Sequence, residues 1–263
     1  MLFSNKRGQV TIFIIIALVI VSLAVLALVF WPKLSNVSVQ ESPEQFFTSC
    51  LTPIIDNAIT TLSSSGGTLN SKNYLLFNNI KIDYVCYTNE YYKTCVVQRP
   101  LLKQHFSDEL LAIINPQVSS CVNNLKSEMQ SRGFSVSGGN NPQLTIDLSP
   151  DNSVFVVTTG LTFTKDSSTE SYDSFKVSKK SDIYNLLMQA TYIMSWEARY
   201  GDFDILTFML SYPDIRADKY KLSDGSKVYI LTSRNTDDSF TFATRSLSWP
   251  PGYQPNKIVG VND

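Results

Sequence analysis

Between Val10 and Trp31 the chain runs VTIFIIIALVIVSLAVLALVFW, 22 residues without a charge and with only Thr11 and Ser22 polar. Nothing else in the sequence restricts the fold as strongly. As an α-helix the run would measure about 33 Å, close to the ~30 Å hydrocarbon core of a bilayer. A cleaved secretory signal has a shorter apolar stretch of roughly 7–15 residues followed by small residues. Here the run closes on Phe30-Trp31-Pro32-Lys33, an interfacial aromatic, a helix stop and a base able to reach the headgroups. The expectation is one transmembrane helix over 10–31. Lys6 and Arg7 precede it, whereas Lys33 alone follows before the acids Glu41 and Glu44. The positive-inside rule then makes residues 1–9 a cytoplasmic leader and puts 33–263 outside.

The junction Lys6-Arg7-Gly8-Gln9, followed at once by the apolar run, resembles the class III signal of archaeal type IV pilin-like proteins. The resemblance implies cleavage after Gly8 by a prepilin peptidase, so that Gln9 opens the mature chain with its helix attached. It further implies that the helix anchors the protein or packs with its copies in a filament core. Many pilins carry Glu at the fifth mature position, where this chain has Phe13.

Four cysteines, Cys50, Cys86, Cys95 and Cys121, all lie beyond the apolar run. An even number outside the cytoplasm predicts disulfides, with three pairings possible. Cys86 and Cys95 flank an eight-residue segment; a hairpin centred on Glu90-Tyr91 would set their sulfurs opposite each other. That leaves Cys50 with Cys121, each on the apolar stripe of its own predicted helix. No CxxC spacing exists and the single histidine is His105, so a zinc site is not expected.

Residues 32–42 read as a polar linker containing the sequon Asn36-Val37-Ser38, a candidate for glycosylation. Ser42-Pro43-Glu44-Gln45 predicts a helix start, and Phe47, Cys50, Leu51, Ile54, Ile55, Ala58 and Leu62 continue at helical spacing to Gly66-Gly67. Residues 74–98 predict two or three strands. Two helices should follow, one over 101–114 and a second from Asn115-Pro116 to Gly133. Beyond a loop at 138–142, strands are expected near 144–148, 154–164 and 175–177. A helix from Ser181-Asp182 to Gly201, a short helix over 203–211 and a closing hairpin over 227–247 complete the reading. The expected class is α+β: a transmembrane helix, then a disulfide-bonded extracytoplasmic domain with antiparallel strands. Its lobes would be a helical one with the cysteine hairpin (43–135) and an α+β one (136–263). This order is similar to that of uncharacterised anchored surface proteins of small-genome archaea, in the Arg-Gly-Gln start, the cysteine pair on helices and the closing hairpin.

The residues predict little chemistry. G-x-S-x-G, P-loop, G-x-G-x-x-G and H-E-x-x-H patterns are all absent, and His105 reads as a helix-surface residue. Asp202 and Asp204 resemble a carboxylate pair, with Asp202 in a helix-capping position. Asp166, Glu170 and Asp173 lack the spacing of a calcium loop. Tyr84, Tyr87, Tyr91 and Tyr92 could form a binding face, but ordinary strand packing is the preferred reading. Without the bases of residues 1–33, the rest carries 19 bases and 23 acids, a net of −4, which disfavours nucleic acid as a partner. The reading is therefore a non-enzymatic structural protein without cofactor, a pilin-like subunit associating with lipid and with its own copies. The alternative is an anchored binding module such as an adhesin, receptor or envelope-complex component.

Overall fold

A computed structural model of the chain describes residues 14–25, 41–150 and 152–248. Two units are distinct, Met1–Ser42 and Pro43–Asp263. In the first, residues 14–25 form helix α1, whose side chains are exposed on every side. Its one polar side chain, Ser22, donates to the Val19 carbonyl at 2.9 Å. The expected membrane-spanning helix is corrected here. Among the described residues no helix is long and apolar enough to cross a membrane. Twelve residues rise only about 18 Å, well short of a ~30 Å core. Lys6, Arg7, Gly8, Gln9 and Asn36 lie outside the described residues.

The second unit begins with α2 (Pro43–Ser64). Phe47, Leu51, Ile55, Ala58, Ile59 and Leu62 recur every three to four residues, and that face is buried. Hairpin β1 (Tyr74–Phe77) and β2 (Ile80–Tyr87) turns at Asn78-Asn79, both with positive φ, which asparagine tolerates better than most residues. The two-residue β3 (Val96–Val97) pairs with β2, and α3 (Leu102–Ser131) follows. Next come β4 (Ser135–Ser137), β5 (Gln143–Ser149), β6 (Asn152–Lys165) and β7 (Ser168–Lys180). The chain ends in α4 (Ile183–Tyr200), α5 (Ile205–Ser211), β8 (Ile215–Lys221), β9 (Ser226–Ser233) and β10 (Ser239–Arg245).

The strands make two sheets. One has the order β1-β2-β10-β9-β8, with β3 also on β2; the other is built on β6, which pairs with β4, β5 and β7. Helix α2 touches β10 of the first sheet and β7 of the second, while α4 touches β2, β3, β9 and β10 as well as β5 and β6. The helices thus bridge the sheets, and one continuous core runs from Phe47 through Phe155 and Leu187 to Phe242. Pairing is antiparallel except that β10 lies parallel to β2. The expected antiparallel strands are thus accompanied by one parallel pair. More than 150 residues of helix and sheet separate these two strands, ample for the crossover that a parallel pair needs.

Four further expectations change. The two helices predicted over 101–133 are one, with Pro116 inside α3. The stripe Leu102, Phe106, Leu110, Ile114, Val118, Val122, Leu125 and Met129 keeps its phase across the proline and is buried throughout. That burial outweighs the roughly 3 kcal/mol that an interior proline costs. The strand expected near 175–177 is the longer β7, joined to β6 by the turn Asp166-Ser167 and paired along it from Asn152 to Lys165 with one irregular step between Thr158 and Leu161. The division near 136–142 separates no units, since β2 from one side of it and β10 from the other share a sheet. Cys50 is bonded to Cys121, and Cys86 to Cys95, although the strand partner of Cys86 is Val97, two residues beyond the partner that the expected hairpin gives it.

Candidate functional site

Helix α4 buries Ile183, Leu186, Leu187, Ala190, Ile193, Met194 and Glu197. Its opposite face, where polar residues are the norm, carries Tyr192, Trp196 and Tyr200 four residues apart, 41%, 38% and 49% exposed. Beyond Gly201 the chain turns back through Phe203 into α5, which adds Phe208, and Tyr212 follows. Tyr192 meets Phe203 edge-on at 5.8 Å, Phe203 lies 5.6 Å from Phe208, Phe208 5.0 Å from Tyr212, and Tyr212 6.5 Å from Tyr192. Trp196 packs on Tyr192 and Phe203 at 6.1 and 6.4 Å. These distances suit edge-to-face contacts. The five rings line a cleft of about 280 Å³, together with Asp204, Thr207 and Ser211. Ser211 and Tyr212 also border a second lobe of about 340 Å³, whose polar walls include Asp182, Asn185, Gln189, Asp214 and Asn235. The Gln189 Oε1 atom is buried and lacks a hydrogen-bond partner among the described residues.

The segment 201–204 that carries Phe203 is held from beneath by a buried charge network. Glu197, fully buried, accepts from Lys227 Nζ at 2.7 and 3.0 Å and from the Tyr229 hydroxyl. Lys227 also donates to the Gly201 carbonyl. Asp202 accepts from Lys219 at 3.0 Å and Lys221 at 2.8 Å, and Lys219 donates to the Phe203 carbonyl. Burial raises Glu197 above the ordinary carboxylate range although Lys227 opposes the shift. Burial also pushes Asp202 upward, but Lys227, Lys221 and Lys219 together outweigh it and hold the group below its usual range. Gly201 closes α4 with φ of 79°, and a Cβ there would meet Ser248 Oγ at 1.9 Å. Asp202 is therefore an ion-pair anchor, and the capping position belongs to Asp204. The Asp204 carboxylate accepts from Leu206 N at 2.9 Å and from Thr207 Oγ1 at 2.7 Å. These donors hold its pKa low.

His105 is not a simple surface residue. Its Nε2 lies 2.7 Å from Thr68 Oγ1, which donates to buried Asp83 at 2.9 Å. Asp83 also takes Ser71 and pairs with Arg99 at 3.0 Å. A carboxylate paired with a cation only accepts, so the single Thr68 proton points at Asp83 and His105 must present Nε2–H. The threonine stands between acid and base, the reverse of the order that activates a hydroxyl, in which the base sits between the other two. Burial and then Arg99 push His105 below the ordinary imidazole range. The cluster ties α3 to β2 and the loop after α2.

The other sequence candidates disperse. Tyr84 is buried on Ser226, Tyr87 lies under Arg245, and Tyr91 and Tyr92 project from the loop closed by Cys86–Cys95. Asp166 is a turn residue, and Glu170 accepts from Tyr172 within β7. Among the described residues no group of three His, Cys, Asp or Glu is placed to hold a metal. The aromatic cleft escaped the sequence reading, yet a signal was present: Tyr192, Trp196 and Tyr200 repeat every fourth residue on the wrong face of an amphipathic helix. No protein-family model, curated protein or solved structure matches the chain.

Proposed function

We propose that the chain is an extracytoplasmic structural subunit that assembles with copies of itself through its N-terminal apolar segment and displays its disulfide-bonded unit at the cell surface. The observation that carries the reading is α1, apolar on every face, with its only polar side chain turned onto its own backbone. Such a surface gains roughly 25 cal/mol for each Å² taken from water, and copies of the same helix offer a matching apolar partner. Two disulfides without a free thiol support an oxidising compartment. The Gly8-Gln9 junction adds a processing step, cleavage after Gly8, that removes Lys6 and Arg7 before the helix packs. A binding module is the second reading, favoured by the aromatic cleft on α4 and α5.

Light scattering on the full chain tests the assembly. Wild type should form high-order species that Val19→Lys reduces to small oligomers or monomers, with the thermal midpoint of the disulfide-bonded unit unchanged. A wild-type monomer, or an assembly indifferent to the lysine, would refute the reading. Intact mass of native protein should give a chain starting at Gln9, and a mature chain retaining Met1 would remove the processing step.

A further inference from the structure

We infer that the two-lobed cleft between α4 and α5 binds a small free organic cation, with a methylated ammonium head among the five rings and a polar tail in the adjoining lobe. This rests on the binding reading of the cleft and is independent of what α1 does.

Charge and shape both point to it. Tyr192, Trp196, Phe203, Phe208 and Tyr212 converge on one cavity, and ring faces attract a cation through their quadrupoles. Every ionisable carboxylate or amine bordering the two lobes is an acid: Asp204 in the aromatic lobe, Asp182 and Asp214 in the polar one; neither a lysine nor an arginine borders either lobe among the described residues. Lys219, whose charge acts on Asp204, is already committed to Asp202 and the Phe203 carbonyl. An anion would face three carboxylates with no base on the lobe walls among the described residues, and a purely apolar ligand would make no use of their charge. Each oxygen of Asp204 accepts one bond from the start of α5, which fixes the carboxylate and its charge beside the rings. The lobe is otherwise mostly ring surface, which suits a methylated head better than a primary amine with three N–H donors to satisfy. In the second lobe, the side chains of Asn185, Gln189 and Asn235 suit a hydroxyl on the tail. Lobes of about 280 and 340 Å³ are of small-molecule size.

The test is titration of the full chain, followed by calorimetry and tryptophan fluorescence, with choline, its neutral isostere 3,3-dimethylbutan-1-ol, and spermidine. Choline should saturate the site at least about tenfold more tightly than either competitor. Trp196→Leu, at a partly exposed position, should weaken choline by about tenfold or more without moving the thermal midpoint, while Trp196→Phe retains most of the affinity. Asp214→Asn should weaken choline and leave the isostere unchanged. Equal binding of choline and the isostere would mark an apolar site and overturn the cation assignment. Tighter binding of spermidine would overturn the methylated head. If the folded protein bound none of the three, the binding reading of the cleft would fall with the inference, whereas selective binding of another probe would remove the inference alone. Phosphatidylcholine vesicles form a last arm: Trp196-dependent binding to them that free choline does not displace would overturn the assignment to a free solute.

Discussion

At the scale of single residues, the most consequential contact joins Lys227 to Glu197. Glu197 sits on the buried face of α4, on the same stripe as Ile193 and Met194. A carboxylate there is tolerable only because an ammonium and a phenol reach it. Lys227→Met removes the cation and leaves the acid, which should cost about 3–5 kcal/mol at neutral pH. The sign with pH follows from the remaining group. Burial already raises Glu197 from its ordinary 4.5, and without Lys227 it rises further. A raised acid binds more protons folded than unfolded, so the variant loses stability as pH climbs from about 4.5 through the folded pKa. Urea denaturation at pH 5 and pH 8 should show the smaller deficit at pH 5. A deficit independent of pH would mean that Glu197 is not the group left unpaired. The double replacement Glu197→Leu with Lys227→Met should recover most of the loss.

At the scale of elements, the two disulfides do unequal work. Cys50–Cys121 joins α2 to α3 across 71 residues, whereas Cys86–Cys95 closes a loop of nine. On the chain-entropy model the long loop contributes about 4 kcal/mol and the short one about 2.5–3 kcal/mol. Replacing Cys50 and Cys121 with alanine should therefore lower the denaturation midpoint more than replacing Cys86 and Cys95, as read by chemical unfolding under non-reducing conditions. The reverse order would mean that the short loop fixes the β2–β3 region and the α4 terminus, where Gly201 lies beside Thr94. Element boundaries were legible where burial and propensity agree. The stripes of α2 and α4 and the hairpin of β9 and β10 fall close to their expected places. They were not legible where one principle overrules another. Pro116 reads as a stop, but the buried stripe of α3 carries the helix through it. The charged segment of β8 (IRADKYK) carried no expectation of a strand and becomes one because β9 supplies its hydrogen bonds. Gly138, at φ of 82°, lies so near the Gly160 carbonyl that a Cβ would come within 1.9 Å, a close approach at the irregular step of β6 that composition alone did not reveal.

At the scale of the whole molecule, the helices serve both sheets at once. Phe47 of α2 stacks on Phe175 of β7 at 4.6 Å, and Phe106 of α3 meets Phe240 of β10 at 6.1 Å. Removing either sheet would expose the same helices, so the unit from Pro43 onward should unfold in one cooperative step. Calorimetric and van't Hoff enthalpies should agree, and near-ultraviolet and far-ultraviolet transitions should coincide. Two resolved transitions would restore the division near 136–142.

What the sequence determined by itself is what depends on neighbours along the chain: the apolar run, the helical stripes, the turn residues and the placement of Cys50 and Cys121 on buried faces. These follow from periodicity and local conformational preference, which act over a few residues. The tertiary structure alone decided which distant groups meet. It laid β10 parallel to β2, set Thr68 between His105 and Asp83, sent Asp202 to three lysines rather than a helix cap, and folded Phe203, Phe208 and Tyr212 back onto Tyr192 and Trp196. Each of these pairings spends the chain entropy of closing a long loop, and each is recovered only once the shared core has formed. No local pattern records that balance, and for this reason the aromatic stripe of α4 was visible in the sequence while the cleft it lines was not.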